Sequence, residues 1–195
     1  MLERVAAKAW TLSEAGAFGV TNLGFYRQPA VWSDTVVFVS EGDLWRVPLA
    51  GGVAARITTG SGEEAHPAIS PDGKTLAFVG EYEGSPDIYT MPLSGGLPTR
   101  RTWGASRAGF VGFAPDGRLL YSTRSLSTLP SSQTVAVDLV TGASERLSLA
   151  ESDQGTFDDA GNWYFTRLPF QGSHTKRYKG GYVQQIWKFN ARGAD

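Results

Sequence analysis

The stretch AISPDGKTLAFVG, residues 68–80, joins a Ser-Pro-Asp-Gly turn to a short run of apolar and aromatic residues. An Asp-Gly pair beside such a run is a strong local signal for a β-hairpin. The phrase recurs in varied form as VWSDTVVFVS (31–40), GFAPDGRLLYST (112–123) and TFDDAGNWYFT (156–166). The period is roughly 40 to 45 residues, which is typical of the blades of a β-propeller.

A second strand with an apolar or aromatic pair follows each copy of this phrase. These strands are DLWRVPL (43–49), DIYTMPL (87–93), QTVAVDL (133–139) and QIWKFN (185–190). A tight turn and a short polar strand then complete the first three copies, in AGGVAARIT (50–58), SGGLPTRRT (94–102) and TGASERLS (141–148). The repeats therefore predict an all-β fold, a β-propeller of four-stranded antiparallel blades.

The repeats also predict the organisation of the chain. A short N-terminal arm, helical or disordered, covers residues 1–24, and a partial propeller covers 25–195. Its blades span approximately 29–64, 65–108, 109–152 and 153–190. This is about three and a half to four blades, whereas a closed propeller has four to eight. We therefore expect an incomplete ring, whose remaining blades belong to a longer parent protein or whose closure requires self-association or a partner.

Composition and charge exclude several classes of function. The formal net charge is −1, so we expect no nucleic-acid or anionic-membrane partner. The chain has no cysteine, which excludes disulfides and thiol chemistry. The N-terminal segment carries Glu3, Lys8 and Glu14 and makes a poor export signal. The sequence as it stands predicts a cytoplasmic chain, and export of a longer parent stays open.

At this point the sequence resembles a known family. The phrases EGDLWRVPLAGG (41–52) and SPDGKTLAFVGEYEGSPDIYTMPLSGG (70–96), and above all TRLPFQGSHTKRYKGGYVQQIWKF (166–189), are similar to the N-terminal propeller of tricorn-type proteases. These are serine peptidases of the S41 class, and TolB-like propellers share the blade phrases more distantly. The resemblance implies the first part of a six-bladed propeller. It also implies that the family's catalytic residues lie in domains absent from this sequence, so none is assigned here.

Three features of the sequence suggest catalysis or nucleotide binding, but the residues around each of them do not fit that function. Gly73-Lys74-Thr75 ends like a P-loop, but Ala68 stands where that motif needs glycine, and a strand follows instead of a helix. The segment GASRA (104–108) lacks the final glycine of a nucleophile elbow. His66 precedes a proline between two blades, and a structural role is favoured for it over a catalytic triad.

The sequence predicts no cofactor and no metal site. Glu151, Asp153, Asp158 and Asp159 lack the spacing of a calcium loop, and their register matches the blade turns. The aromatic residues at blade-strand positions favour packing between blades over ligand stacking; they are Trp45, Tyr89, Trp163 and Trp187.

A basic insertion, QGSHTKRYKGG (171–181), is the main candidate for binding. Loops on a rigid scaffold often carry binding groups, and this one holds His174, Lys176, Arg177 and Lys179. The alternative is a solvated loop or a contact to other parts of a longer protein. In the resembled family, paired arginines on this propeller receive the C-terminal carboxylate of a peptide. The matching loop here, TWGASRAGF (102–110), carries only Arg107, because Arg100 and Arg101 fall in a blade strand.

Two functions follow from these observations. The first is a non-catalytic propeller segment of a tricorn-like serine protease, which guides or gates peptides and scaffolds the catalytic domains. The second is a TolB-like interaction scaffold that completes its ring by self-association. A truncated gene product with little function of its own is a third alternative.

Overall fold

The computed structural model describes residues 24–103, 109–126, 131–158, 160–168 and 183–190. Within these ranges every regular element is a β-strand, which confirms the all-β fold class. No helix among the described residues is long and apolar enough to cross a membrane. The expected N-terminal arm lies outside the described residues except for Gly24.

The strands form four successive antiparallel sheets, each ordered as in the sequence. Blade 1 holds β1 (Arg27–Trp32), β2 (Thr35–Ser40), β3 (Asp43–Pro48) and β4 (Ala55–Arg56). Blade 2 holds β5 (Glu64–Ile69), β6 (Thr75–Gly80), β7 (Asp87–Pro92) and β8 (Thr99–Arg100). Blade 3 holds β9 (Gly109–Phe113), β10 (Leu119–Thr123), β11 (Gln133–Val137) and β12 (Ser144–Arg146). Blade 4 holds β13 (Gly155–Phe157), β14 (Asn162–Thr166) and β15 (Ile186–Asn190).

The first strands of successive blades contact one another, β1 with β5, β5 with β9 and β9 with β13. This is how the inner strands surround the axis of a propeller. β1 and β5 share an irregularity, since Gln28 and His66 both have positive φ angles near +50° where the pairing register shifts. The His66 backbone N–H donates to Gln28 Oε1 at 2.7 Å, so this pair joins the inner strands of blades 1 and 2.

Among the described residues, blades 2 and 3 each pack one face against the preceding blade and the other against the next, and blades 1 and 4 each pack one face against a neighbour. We call the face towards the preceding blade the upstream face and the face towards the next blade the downstream face. Blade 1 sets Val37, Val39 and Leu44 against Leu76, Phe78, Tyr89 and Met91 of blade 2. Blade 2 sets Ala77 and Ile88 against Leu119, Val135 and Val137 of blade 3. Blade 3 sets Leu120 and Ala136 against Trp163 and Phe165 of blade 4. Neighbouring residues on a strand point to opposite faces of the sheet. Apolar side chains on the two faces of β2, β6, β10 and β14 therefore supply all three contacts between blades.

The register of the strands places three of the four predicted aromatic residues at one equivalent position. Trp45, Tyr89 and Trp187 pair with Phe38, Phe78 and Phe165, respectively. Tyr89 and Trp163 are buried in contacts between blades, which confirms the packing role for these two. Trp45 differs, because the upstream face of blade 1 has no preceding blade among the described residues.

Candidate functional site

An ion pair with a buried carboxylate and a partly exposed guanidinium links the third and fourth strands of blade 1. Asp43 begins β3, and the Arg56 guanidinium on β4 donates to its Oδ2. Arg56 Nε also donates to the Thr58 carbonyl at 3.0 Å, and the Leu44 N–H donates to Thr58 Oγ1 at 2.8 Å. The pair therefore holds the short outer strand and the loop after it against the sheet.

Blade 2 repeats this arrangement at equivalent positions. Arg100 Nη2 lies 2.5 Å from Asp87 Oδ2, and Arg100 Nε donates to the Thr102 carbonyl at 2.9 Å. The Ile88 N–H donates to Thr102 Oγ1 at 2.9 Å, and that hydroxyl donates to Asp87 Oδ1 at 2.8 Å. The aspartate in blade 2 thus has a partner for each of its two oxygens.

Glu64 changes the pattern at the contact between blades 1 and 2. The Thr58 hydroxyl donates to Glu64 Oε2 at 3.0 Å, and the Tyr82 hydroxyl donates to Glu64 Oε1 at 2.7 Å. Asp43 Oδ1 is consequently buried without a hydrogen-bond partner among the described residues. Burial raises the pKa of the Glu64 carboxyl, with a further contribution from the Asp43 charge, against the lowering effect of the bonds from Tyr82 and Thr58.

This cluster stabilises the contact between two blades and offers no accessible catalytic group. A carboxyl with a raised pKa is a candidate general acid, but Glu64 is only 1% exposed. A cleft of about 240 Å³ is lined by Thr58, Gly60 and Tyr82, but Glu64 does not line it. Gly60 covers the carboxyl closely, since a Cβ built there meets Glu64 Oε1 at 2.9 Å. No substrate atom reaches the Glu64 oxygens unless this loop opens.

The Gly-Lys-Thr motif at 73–75 is a turn between β5 and β6. The backbone N–H groups of Gly73 and Thr75 donate to Ser70, and that of Lys74 donates to Asp72 Oδ1. These donors would have to be free to hold a phosphate in a P-loop. The turn interpretation of this stretch is therefore confirmed.

The other polar candidates from the sequence take part in local contacts. Glu151 accepts from Ser131 and from Arg167, and Asp158 accepts from the N–H groups of Ala160 and Asn162. Among the described residues no three acidic or histidine side chains gather as metal ligands do. The hydrogen bonds of His66 in this part of the chain go to Gln28.

The five candidate binding residues lie outside the described residues. They are Arg107, in segment 104–108 after blade 2, and His174, Lys176, Arg177 and Lys179 in the basic insertion. Segment 104–108, which includes the serine of the GASRA motif, lies there as well. The two neighbouring arginines are described and engaged, Arg100 with Asp87 and Arg101 with Thr90 Oγ1 at 2.7 Å.

An aromatic groove on the upstream face of blade 1 was missed by the sequence reasoning. It has a volume of about 470 Å³ and is lined by Phe25, Tyr26, Phe38 and Trp45, among others. Phe25 and Tyr26 are 77% and 65% exposed. The Phe-Tyr pair directly before β1 is the signal that could have indicated it, because adjacent aromatic residues outside a strand contribute to an exposed apolar patch.

Comparisons with known proteins agree with this architecture. The family described as "Tricorn protease N-terminal beta propeller domain" matches residues 23–195. The crystal structure of the tricorn protease superposes with a TM-score of 0.74 and 26% identity, over 88% of this chain and 18% of that chain. A putative TolB from Agrobacterium tumefaciens superposes with a TM-score of 0.68 and 26% identity, over 88% of this chain and 60% of that one.

Curated relatives match over shorter stretches. A putative tricorn-like protease N-terminal subunit of Sulfurisphaera tokodaii is 38% identical over 56 residues, which is 29% of each chain. Tricorn protease homolog 1 of Streptomyces coelicolor is 37% identical over 62 residues, 32% of this chain and 6% of that protein. The matched stretches thus span less than a third of either relative. Since the family match covers all four blades, the chain belongs to the tricorn protease N-terminal β-propeller family.

Proposed function

We propose that this chain is a non-catalytic propeller segment of a tricorn-like serine protease. In this role it guides or gates peptides towards catalytic domains that other parts of the protease supply, and it provides those domains with a scaffold. The family match over residues 23–195 is the observation that carries the proposal. The packing of the blades suits a scaffold, because the polar clusters of blades 1 and 2 make contacts within each blade and between the two blades.

Within this proposal, the loops that connect the blades contact the peptide. Arg107 is the candidate for a peptide C-terminal carboxylate, since a guanidinium presents a fork of donors that matches that group. The basic insertion with His174, Lys176, Arg177 and Lys179 is the candidate contact to the catalytic domains. Both segments lie between strands in the sequence, at positions where we expect loops with binding groups.

The test is a peptidase assay with a tricorn-type catalytic chain from the same genome. Cleavage of peptides with a free C-terminus is compared with that of their C-terminal amides, with and without this 195-residue chain. We expect the chain to change kcat/KM for the free peptides more than for the amides. Arg107→Ala should remove this preference, whereas Arg118→Ala, on an exposed turn of blade 3, should keep it. Unchanged turnover on addition of the chain, or peptidase activity of the chain alone, would contradict the proposal.

A second candidate is a TolB-like scaffold that completes its ring by self-association. The specific observation in its favour is the exposed aromatic groove of blade 1, because an apolar surface of this kind marks a site of protein association. Light scattering separates the two candidates. The scaffold requires a defined oligomer of the isolated chain, which the protease role does not.

A further inference from the structure

We propose that a pocket between the first turns of blades 2 and 3 binds a tryptophan side chain of a partner protein. The first turn of a blade joins its first and second strands; in blades 2 and 3 it covers residues 70–74 and 114–118. The inference goes beyond the proposed function, since segment 104–108 precedes β9 and this pocket lies at the turn that follows β9. An equivalent contact inside the chain, the lining of the pocket and its polar groups carry the inference.

Trp32 shows which group fits at such a place, because its indole lies against the first turn of blade 2. A Cβ built on Gly73 of that turn would meet Cζ2 of the ring at 2.4 Å. The indole Nε1–H donates to the Pro71 carbonyl at 3.0 Å. Trp32 is 38% exposed, so most of its surface is covered. An indole therefore fills the contact between the first turns of blades 1 and 2.

Ser70 stands one blade later at the position of Trp32. Trp32 pairs with Thr35, the first residue of β2, and the Ser70 N–H donates to the carbonyl of Thr75, the first residue of β6. The serine side chain is much smaller than an indole. At Gly117 of the facing turn, a Cβ would meet nothing within 4 Å. The contact between the first turns of blades 2 and 3 thus lacks the ring that the preceding contact has.

The space left open is a pocket of about 240 Å³. The half-buried residues Phe113 and Leu139 line it, together with Pro71 and Pro115 of the two turns. Binding pockets commonly combine an apolar lining with a few polar groups that fix the orientation of the ligand. A flat ring placed here would remove the remaining apolar surface of Phe113 and Leu139 from water, which favours binding.

The backbone of the pocket favours a ring that carries an N–H donor. Pro115 takes the place in its turn that Pro71 takes in the turn of blade 2, and the Pro71 carbonyl accepts from Trp32. No donor within the described part of the chain reaches the Pro115 carbonyl. Indole has one N–H donor and no acceptor. A second indole could therefore repeat the bond that Trp32 makes.

The charges beside the pocket are balanced. Lys74 Nζ lies 3.8 Å from Asp72 Oδ2, and Arg118 Nε donates to Asp116 Oδ2 at 2.8 Å. A cationic ligand consequently gains less here than a neutral ring with a single donor. Pro115 and Asp116 are exposed, so a partner reaches the pocket from solvent. Tryptophan is enriched among the residues that dominate binding between proteins, which makes it the occupant that fits.

N-acetyl-tryptophanamide is the probe for such a side chain. Its binding to the 195-residue chain is followed by NMR through the amide signals of residues 114–118. We expect saturable shifts with a dissociation constant on the order of millimolar, because the ligand is small. The 1-methylindole analogue of the probe lacks the N–H and should bind about fivefold more weakly.

Three variants test the place of binding, and circular dichroism checks that each is folded. Ser70→Trp supplies the chain's own ring to the pocket and should abolish the shifts. Ser144→Trp adds the same ring on the exposed strand β12 and should leave them unchanged. Trp32→Ala should open an equivalent pocket one blade earlier, so that the probe also shifts the amide signals of residues 70–74.

The inference is overturned if the wild type shows no saturable shifts, if folded Ser70→Trp keeps them, or if the methylated analogue binds equally well. Should Ser70→Trp not fold, the Trp32→Ala result decides, and the absence of new shifts at 70–74 counts against the inference. Binding of free indole but not of N-acetyl-tryptophanamide would indicate a site for a small aromatic molecule and overturn a protein partner. The peptidase assay above tests the proposed function independently of all these outcomes.

Discussion

The Arg100 guanidinium lies 2.5 Å from Asp87 Oδ2, and one blade earlier Arg56 contacts Asp43 in the same manner. The two pairs differ in environment. The Arg100 side chain is 18% exposed and the Asp87 side chain is fully buried, whereas the Arg56 side chain is 45% exposed. Removing one partner of a buried pair leaves an uncompensated charge, which costs more than the loss of a surface pair.

Replacement of Arg100 should therefore destabilise the protein strongly. Arg100→Met leaves the buried Asp87 carboxylate without its guanidinium, and we expect a loss of about 3 kcal/mol in the free energy of unfolding. Arg118→Met is the control, since Arg118 pairs with Asp116 and Glu145 at the surface and should cost less than about 1 kcal/mol. Urea denaturation measures both, and equal losses would show that the Arg100 pair adds nothing specific.

Gly73 should tolerate a side chain less well than Gly117, although both follow the aspartate of a blade turn. Both have positive φ angles, +70° and +87°, so alanine at either costs about 1–2 kcal/mol of backbone strain. At Gly73 a Cβ would also lie 2.4 Å from the Trp32 ring, whose Nε1–H donates to the Pro71 carbonyl at 3.0 Å. At Gly117 the space is open. Gly73→Ala should lose about 1 kcal/mol more than Gly117→Ala in thermal or urea unfolding, and the opposite order would contradict the packing of Trp32 on this turn.

Glu64 should make stability fall as pH rises. Its pKa in the folded protein is raised above the ordinary value of 4.5, so the folded state keeps a proton that the unfolded state loses. The stabilisation by the neutral carboxyl is fully present below pH 4.5 and is lost as pH rises through the folded-state pKa.

Glu64→Gln removes this titration; its single amide oxygen keeps an acceptor for one of the two hydroxyls, Tyr82 or Thr58, and its NH2 group replaces the other acceptor. We expect the stability of the variant relative to wild type to increase with pH above 4.5, by at most about 1.4 kcal/mol per pH unit. Unfolding measured in urea from pH 4 to 8 gives this difference. Glu63→Gln, at an exposed neighbouring position, is the control and should run parallel to wild type. If the stability of both variants ran parallel to that of the wild type across this pH range, Glu64 would not have a raised pKa in the folded protein.

Phe38 and Phe78 should differ in their contribution to the stability of the monomer. They hold equivalent positions, but Phe78 is fully buried between blades 1 and 2 and Phe38 lies on the open face of blade 1. Phe78→Ala should cost about 3–5 kcal/mol through the cavity that it leaves. Phe38→Ala should cost clearly less at concentrations where the chain is monomeric. Equal costs would mean that the blade 1 face is covered within one chain.

Much of the fold could be predicted from local patterns. The turn at 70–73 is encoded locally, because Asp72 accepts hydrogen bonds from Ser70 and Lys74 and Gly73 supplies the positive φ. The positions of Tyr89 and Trp163 in the core also followed from alternation along a strand. The binding candidates Arg107 and the basic insertion lie outside the described residues and remain predictions.

The sequence alone was sufficient for the hairpins, the blade period and the all-β class, since these depend on contacts between residues a few positions apart. The hydrogen-bond partner of a given side chain could be identified only from the three-dimensional structure. Thr58 and Thr102 occupy equivalent positions, yet the first hydroxyl donates to Glu64 and the second to Asp87. The difference arises because Glu64 of the following blade reaches the Thr58 hydroxyl. The packing of one blade on the next thus selects which donors and acceptors meet and which aromatic face stays open.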